Sequence, residues 1–271
     1  MAIDMRYLFG RWDEIERKLK EKHTFLFLDF DGTLVPIATA PDKAILSKET
    51  EEVLKKISEN SKHKLAIISG RALKDIKNMV GLRKIIYVGN HGFEIEGPKI
   101  KFTRRVSSEY KATLAKIKER LSEKLSKVRG FFIEDKGQTL SVHYRLVSKD
   151  NIPFVEVVFH ETVILHRVKD RIKIKPGKMV FEISPPVEWD KGKVALWLLA
   201  RQKFILKNKG IFPVYIGDDV TDEDAFKVLR NKGLTVFVGK PKISYAAYYL
   251  KDTKEVIKFL KILSNLNGQN N

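Results

Sequence analysis

Short apolar runs alternate with amphipathic segments along most of this chain. That alternation limits it to a sheet of parallel strands joined by crossover helices, because parallel neighbours cannot be linked by tight turns. Residues 24–28, 64–68, 85–88, 213–216 and 234–238 read as strands. Between them, residues 5–22, 72–79, 191–206, 221–229, 244–249 and 253–263 read as helices, as does a segment starting at Ser47, where Val53, Leu54 and Ile57 fall at helical spacing. The polar stretch 265–271 is expected to fray.

The rhythm breaks in one block. Residues 107–128 form a long charged helix pattern. Residues 131–135 and 140–146 read as two strands joined at Lys136-Gly137, 153–165 as a helix, and 167–175 with 179–183 as a hairpin across Pro176-Gly177. Hairpins inside an alternating chain point to an inserted α+β domain of order α-β-β-α-β-β. The expected division is a core of residues 1–104 and 187–271 and an insert of residues 105–186. A chain of 271 residues that is 43% hydrophobic has the material for both.

Composition removes several classes. With no cysteine, disulfides and thiolate metal sites are excluded, and a cytoplasmic setting is expected. Residues 1–22 interleave charges with apolar residues, unlike a signal peptide, and no apolar run reaches the length of a membrane span. The net charge of +18 raises the question of nucleic acid. Its best location is residues 99–129, with eleven Lys/Arg against three Glu. Aromatic interleaving is weak there, so it reads as a solvated helix face, and no nucleic-acid partner is expected.

The chemistry lies where the strands end. In an open parallel sheet, ligands bind beyond the carboxyl ends of the strands. Here those ends deliver Asp29, Ser69, Asn90 and Asp218. Asp29 and Asp31 are two apart, so an extended backbone would turn both carboxylates to one side, where they repel unless a cation joins them. Oxygen donors suit Mg²⁺ better than zinc.

Together these residues resemble the haloacid dehalogenase-like phosphohydrolases: "DFDGTL" from Asp29, Ser69, Lys191 and "GDDVTDED" from Gly217 match that family's motifs in order. The resemblance implies an enzyme with a Rossmann-like α/β core and an inserted cap. It implies Asp29 as nucleophile through an aspartyl-phosphate and Asp31 as general acid and base. It places Mg²⁺ on Asp29, the Asp31 main-chain carbonyl and Asp218, with Asp222 holding metal-bound water or Lys191. Ser69 and Lys191 would grip phosphoryl oxygens, with Thr33 adding a donor.

Finer blocks resemble the trehalose-6-phosphate phosphatases: "SGR" at Ser69, "GNHG" at Gly89, "EDKG" at Glu134, "SVHYR" at Ser141, "FEISPP" at Phe181 and "GDDVTDEDAF" at Gly217. This implies that Glu134, Lys136, His143, Arg145 and Glu182 of a closing lid, with Arg71, Asn90 and His91 of the core, contact the sugar and its phosphate. In one place the chain departs from that family. Ser184 stands where an arginine is usual, so a hydroxyl replaces a charged fork, for which Arg71, Arg145 or Lys178 would have to compensate. The alternative substrates are another glycosyl phosphate, glucosylglycerol phosphate or sucrose phosphate. The expected partner is a small sugar phosphate, no membrane is involved, and a monomer is expected.

Overall fold

Leu26 and Leu28 of the first buried strand point to one apolar cluster, and Phe25 and Phe27 to another. A strand covered on both faces needs a helix layer on each side, and the chain supplies both. The computed structural model describes residues 5–38, 41–169, 171–177, 179–207, 210–240 and 243–266. The tail from residue 267 and Lys178 lie outside them.

In chain order the elements are β1 (Arg6–Tyr7), α1 (Trp12–Glu21), β2 (His23–Leu28), α2 (Lys48–Glu59), β3 (His63–Ile68), α3 (Leu73–Val80), β4 (Ile86–Gly89), β5 (Glu94–Gly97) and β6 (Ile100–Thr103). Then come α4 (Ser108–Lys124), β7 (Phe132–Asp135), β8 (Leu140–His143), α5 (Ile152–Val168), β9 (Lys173–Gly177) and β10 (Val180–Ser184). The chain closes with α6 (Lys191–Ile205), β11 (Ile211–Gly217), α7 (Glu223–Leu229), β12 (Leu234–Val238), β13 (Tyr248–Leu250) and α8 (Thr253–Leu266). The chain divides into two compact units, residues 1–102 with 189–271, and residues 103–188.

The first unit carries a sheet of order β1-β13-β12-β11-β2-β3-β4-β5-β6. From β1 through β4 all pairings are parallel, while β4 and β5 run antiparallel. Residues of α1, α2, α3 and α8 fill one face and those of α6 and α7 the other. From β2 the chain winds outward through β3 and β4, then returns to lay β11 on the opposite side of β2. The strand order therefore reverses between β2 and β11, the crevice where such sheets bind ligands.

The second unit is a four-stranded antiparallel sheet of order β7-β8-β10-β9. Its core joins Ile117 and Leu121 of α4 and Val155 and Phe159 of α5 to Val142, Phe181 and Ile183 of the strands.

Some expectations fail. The first helix begins at Trp12, not at residue 5, because Arg6 and Tyr7 are drawn into the sheet edge beside β13. Residues 244–249 are not helical. Tyr248–Leu250 forms β13, paired on both sides, and two ladders outweigh a weak helical pattern. Residues 167 and 168 end α5 rather than start a strand, and β8 stops at His143. Residues 265 and 266 still belong to α8. Among the described residues no helix is long and apolar enough to cross a membrane.

Candidate active site

The carboxyl ends of β2 and β11 meet at the crevice. The Asp29 N–H donates to Ile216 O at 3.0 Å, tying the residue after β2 to β11. Asp218 follows β11 directly, and Asp222 sits in the single turn before α7. One oxygen from each of Asp29, Asp218 and Asp222 lies within 4.8 Å of the others, and all three residues are buried.

Lys191 enters this group from the first turn of α6. The Asp190 carboxylate caps that helix by accepting from Lys193 N, which fixes where Lys191 starts. Its buried ammonium donates to Asp29 Oδ1 at 2.7 Å and to Asp222 Oδ1 at 2.8 Å. Burial alone would lower the Lys191 pKa, but Asp222 and Asp29 hold it above the ordinary lysine value. Burial pushes the Asp29 carboxyl well up, against Lys191 and with Asp222 and Asp218 adding to the rise. Three buried acids around one ammonium leave room for a further positive charge.

Asp222 has partners beyond Lys191. Oδ1 also accepts from the Tyr215 hydroxyl at 2.8 Å, and Oδ2 accepts from Asp219 N at 3.1 Å. Tyr215 had no place among the sequence candidates. Its signal was a lone hydroxyl in the otherwise apolar run of β11, since a buried tyrosine O–H requires a partner.

Two glycines allow this crowding. A Cβ on Gly32, which has φ +86°, would sit 2.2 Å from Asp218 Oδ2, and one on Gly217 would sit 2.3 Å from Asp222 Cγ.

Asp31 goes elsewhere. Its carboxylate is not in the acidic trio but is gripped by Arg71, with Nε to Oδ2 at 2.7 Å and Nη2 to Oδ1 at 2.6 Å. The expectation that both aspartates turn to one side rested on extended backbone, yet β2 ends at Leu28 and the chain bends before Asp31. The Arg71 guanidinium also lies over the Phe30 ring, 5.6 Å from its centroid.

The remaining core candidates gather on neighbouring strand ends. Ser69 is buried, and its Oγ accepts from Arg71 N at 3.1 Å. Asn90 and His91 both have φ near 55°, an uncommon run for non-glycine residues. Their N–H groups donate to Arg71 O at 2.6 Å and Ser69 O at 3.1 Å, locking the two loops together. The His91 ring covers Gly70, where a Cβ would lie 2.5 Å from Cε1. Thr33 Oγ1 is buried with no hydrogen-bond partner among the described residues.

In the second unit, four candidates share the sheet face opposite the helices. Glu134 Oε2 lies 2.9 Å from His143 Nε2, and Lys136 Nζ lies 3.9 Å from Glu134 and 3.5 Å from Glu182. Ser141 Oγ reaches both Glu182 oxygens, at 2.7 and 2.8 Å. Burial opposes ionisation of Glu134, but the His143 hydrogen bond and Lys136 hold its carboxyl below the ordinary value. Arg145 does not share a strand face with His143, because β8 has ended, and it lies in an exposed turn.

A family model described as trehalose-phosphatase matches residues 27–254. Trehalose 6-phosphate phosphatase RA3 of Zea mays is 36% identical over 265 residues, covering 92% of this chain and 72% of the relative. Trehalose-phosphate phosphatase B of Arabidopsis thaliana is 37% identical over 264 residues, covering 93% and 69%. Among solved structures, the C-terminal domain of the C. albicans trehalose-6-phosphate phosphatase superposes with a TM-score of 0.82 over 97% of this chain and 99% of that one. Its 24% identity speaks to the fold.

Proposed function

The chain belongs to the trehalose-phosphatase family, and we propose from that membership that it hydrolyses trehalose 6-phosphate to trehalose and phosphate. The observation that carries this reading is the buried Lys191 ammonium bridging Asp29 and Asp222 at the switch point of a haloacid dehalogenase-like sheet. Such a site can hold a dianionic phosphate against a carboxylate without neutralising that carboxylate.

Asp29 attacks phosphorus and forms an aspartyl-phosphate while the sugar oxygen leaves. Asp31 protonates that oxygen, then takes a proton from the water that hydrolyses the intermediate. To do so Asp31 exchanges one Arg71 contact for the substrate. Lys191, Ser69 and Thr33 offset the charge on the transferring oxygens, with Asn90 and His91 supporting the loop beside them. In the second unit, Glu134, Lys136, His143 and Glu182 offer donors and acceptors suited to sugar hydroxyls, and Arg145 a cation.

The donor set fits a hard divalent cation: oxygen ligands only, buried, close together and carrying more negative charge than Lys191 balances. Held by Asp29, Asp218 and the main-chain carbonyl of Asp31, Mg²⁺ would neutralise part of the phosphoryl charge. Asp222, occupied by Lys191, Tyr215 and Asp219 N, takes part through water at most.

One feature favours a second reading. Ser184, at the end of β10, stands where the family usually has arginine, so a different glycosyl phosphate, sucrose phosphate or glucosylglycerol phosphate, is the runner-up. The test is phosphate release from these three substrates, with and without EDTA and added Mg²⁺. Trehalose 6-phosphate should be preferred and EDTA should stop turnover. Turnover of another sugar phosphate alone would move the substrate assignment, and EDTA-resistant turnover would remove the metal.

A further inference from the structure

Helix α5 is apolar on two faces. Val155, Val158, Phe159 and Val163 fill the core of the second unit. On the outer side Phe154, Val157, Ile164, Leu165 and Val168 are between 48% and 73% exposed. Helix α4 supplies a control. It is also 17 residues long and packs into the same core, yet its exposed positions are Lys, Arg, Glu, Ser and Ala. In a chain with 52 Lys and Arg, an apolar outer face is therefore a local property of α5. A helix that is hydrophobic all round belongs in a core or against a partner.

The pattern of the stripe says what that partner is. Positions 154, 157, 161, 164 and 168 follow the alternating three-and-four spacing of a helix–helix seam. Its centre is an acid, Glu161, and Lys124 Nζ on α4 lies 3.9 Å from it. Four of its five apolar positions are symmetric about that acid, Val157 and Leu165 four residues to either side and Phe154 and Val168 seven, while Ile164 has the buried Val158 as its mirror position. Its flank carries opposite charges toward the two ends, with Glu156 in the N-terminal half and Arg167 in the last turn, while burial and the cations around it keep the His166 imidazole below its ordinary value. An antiparallel copy of the same helix answers each of these features at once. Apolar positions meet apolar positions, Glu156 meets Arg167, and the two Glu161 carboxylates, brought together at the axis, are flanked by both copies' Lys124. A lipid surface would leave the central carboxylate against hydrocarbon.

We propose that the outer face of α5 is a self-association surface, on which two copies of this chain pack α5 against α5 antiparallel across a two-fold axis near Glu161. The contact is isologous, so it closes at two copies. One helix pair lies at the small end of specific interfaces, so the association is sought over a micromolar concentration range. The sequence reading expected a monomer, and the proposal departs from it.

Sedimentation equilibrium of the full chain from about 1 to about 100 μM reads the association directly. The mass should climb from 31.3 kDa toward twice that value. Val157→Lys and Leu165→Lys, both at exposed positions, should hold the chain monomeric while phosphate release stays unchanged. Glu161→Lys should dissociate the pair through four clustered cations, and adding Lys124→Glu should restore it. A wild-type chain that stays monomeric at the highest concentration overturns the proposal. So does a dimer that persists in both lysine variants, or association that appears only on anionic vesicles.

Discussion

Arg71 holds Asp31 by two parallel hydrogen bonds, Nε to Oδ2 at 2.7 Å and Nη2 to Oδ1 at 2.6 Å, while its guanidinium rests on Phe30. The fork fixes the side chain that the proposed chemistry needs as acid and base. Arg71→Lys keeps a cation but loses the fork, and Arg71→Met loses both. The expected fall in kcat/KM is about tenfold for the lysine and more for the methionine, in line with ~1.5–3 kcal/mol for a charged hydrogen bond. Steady-state phosphate release checks this, and an unchanged methionine variant would remove Arg71 from the mechanism.

Asp29 and Asp31 separate nucleophile from proton carrier. Asp29→Asn should abolish turnover and any burst of trapped phosphoenzyme, while circular dichroism stays native. Asp31→Asn should lower kcat by roughly 10²–10⁴, the usual reach of general acid–base catalysis. Measurable turnover by the first variant would contradict the nucleophile assignment.

Lys191 also bears on stability. Without its ammonium, Asp29 and Asp222 are left as neighbouring buried acids. Lys191→Met should cost about 3–5 kcal/mol in urea unfolding, as removal of one partner from a buried ion pair does, and should eliminate activity. Adding Asp222→Asn should recover part of the stability but none of the activity.

Tyr215 gives Asp222 a third donor. Tyr215→Phe should destabilise the chain by about 1–3 kcal/mol, because it removes one of the two donors to a buried carboxylate oxygen and leaves Lys191 as the other, and should lower kcat more than it changes KM. An effect on KM alone would mean that Tyr215 does not position Asp222 for Lys191.

His63 sets an acid-sensitive element away from this site. Burial at the start of β3, with Lys62 and His23 nearby, lowers its imidazole to about 4 from 6.5. The unfolded chain binds the proton first, so stability falls as pH drops from 6.5 toward 4, and this group has no effect above that window. The loss is on the order of 2–3 kcal/mol. In His63→Gln that part of the stability–pH curve should flatten, as read by urea midpoints at each pH.

Much of this was legible along the chain. The run FLFL before Asp29 could only be a covered strand, and the acids and Ser69 stood where strands had to end. What stayed illegible was local geometry beyond the last ladder bond. Alternation placed Asp31 beside Asp29, but β2 had already stopped, so the rule no longer applied. The strand expected over 140–146 likewise stops at His143, short of Arg145. β13 was missed because three residues carry little pattern, and only pairing with β1 and β12 makes them a strand.

The sequence by itself determined which residues reach the rim of the sheet, because apolar periodicity decides where each strand lies and therefore where it ends. Tertiary structure alone decided which partner each one takes. Lys191 meets Asp29 across 162 positions, and Arg71 meets Asp31 across 40. No local pattern encodes such pairings. They follow from strand order, which brings β2, β3 and β11 side by side, and from burial, which makes an unpaired charge too costly to leave alone.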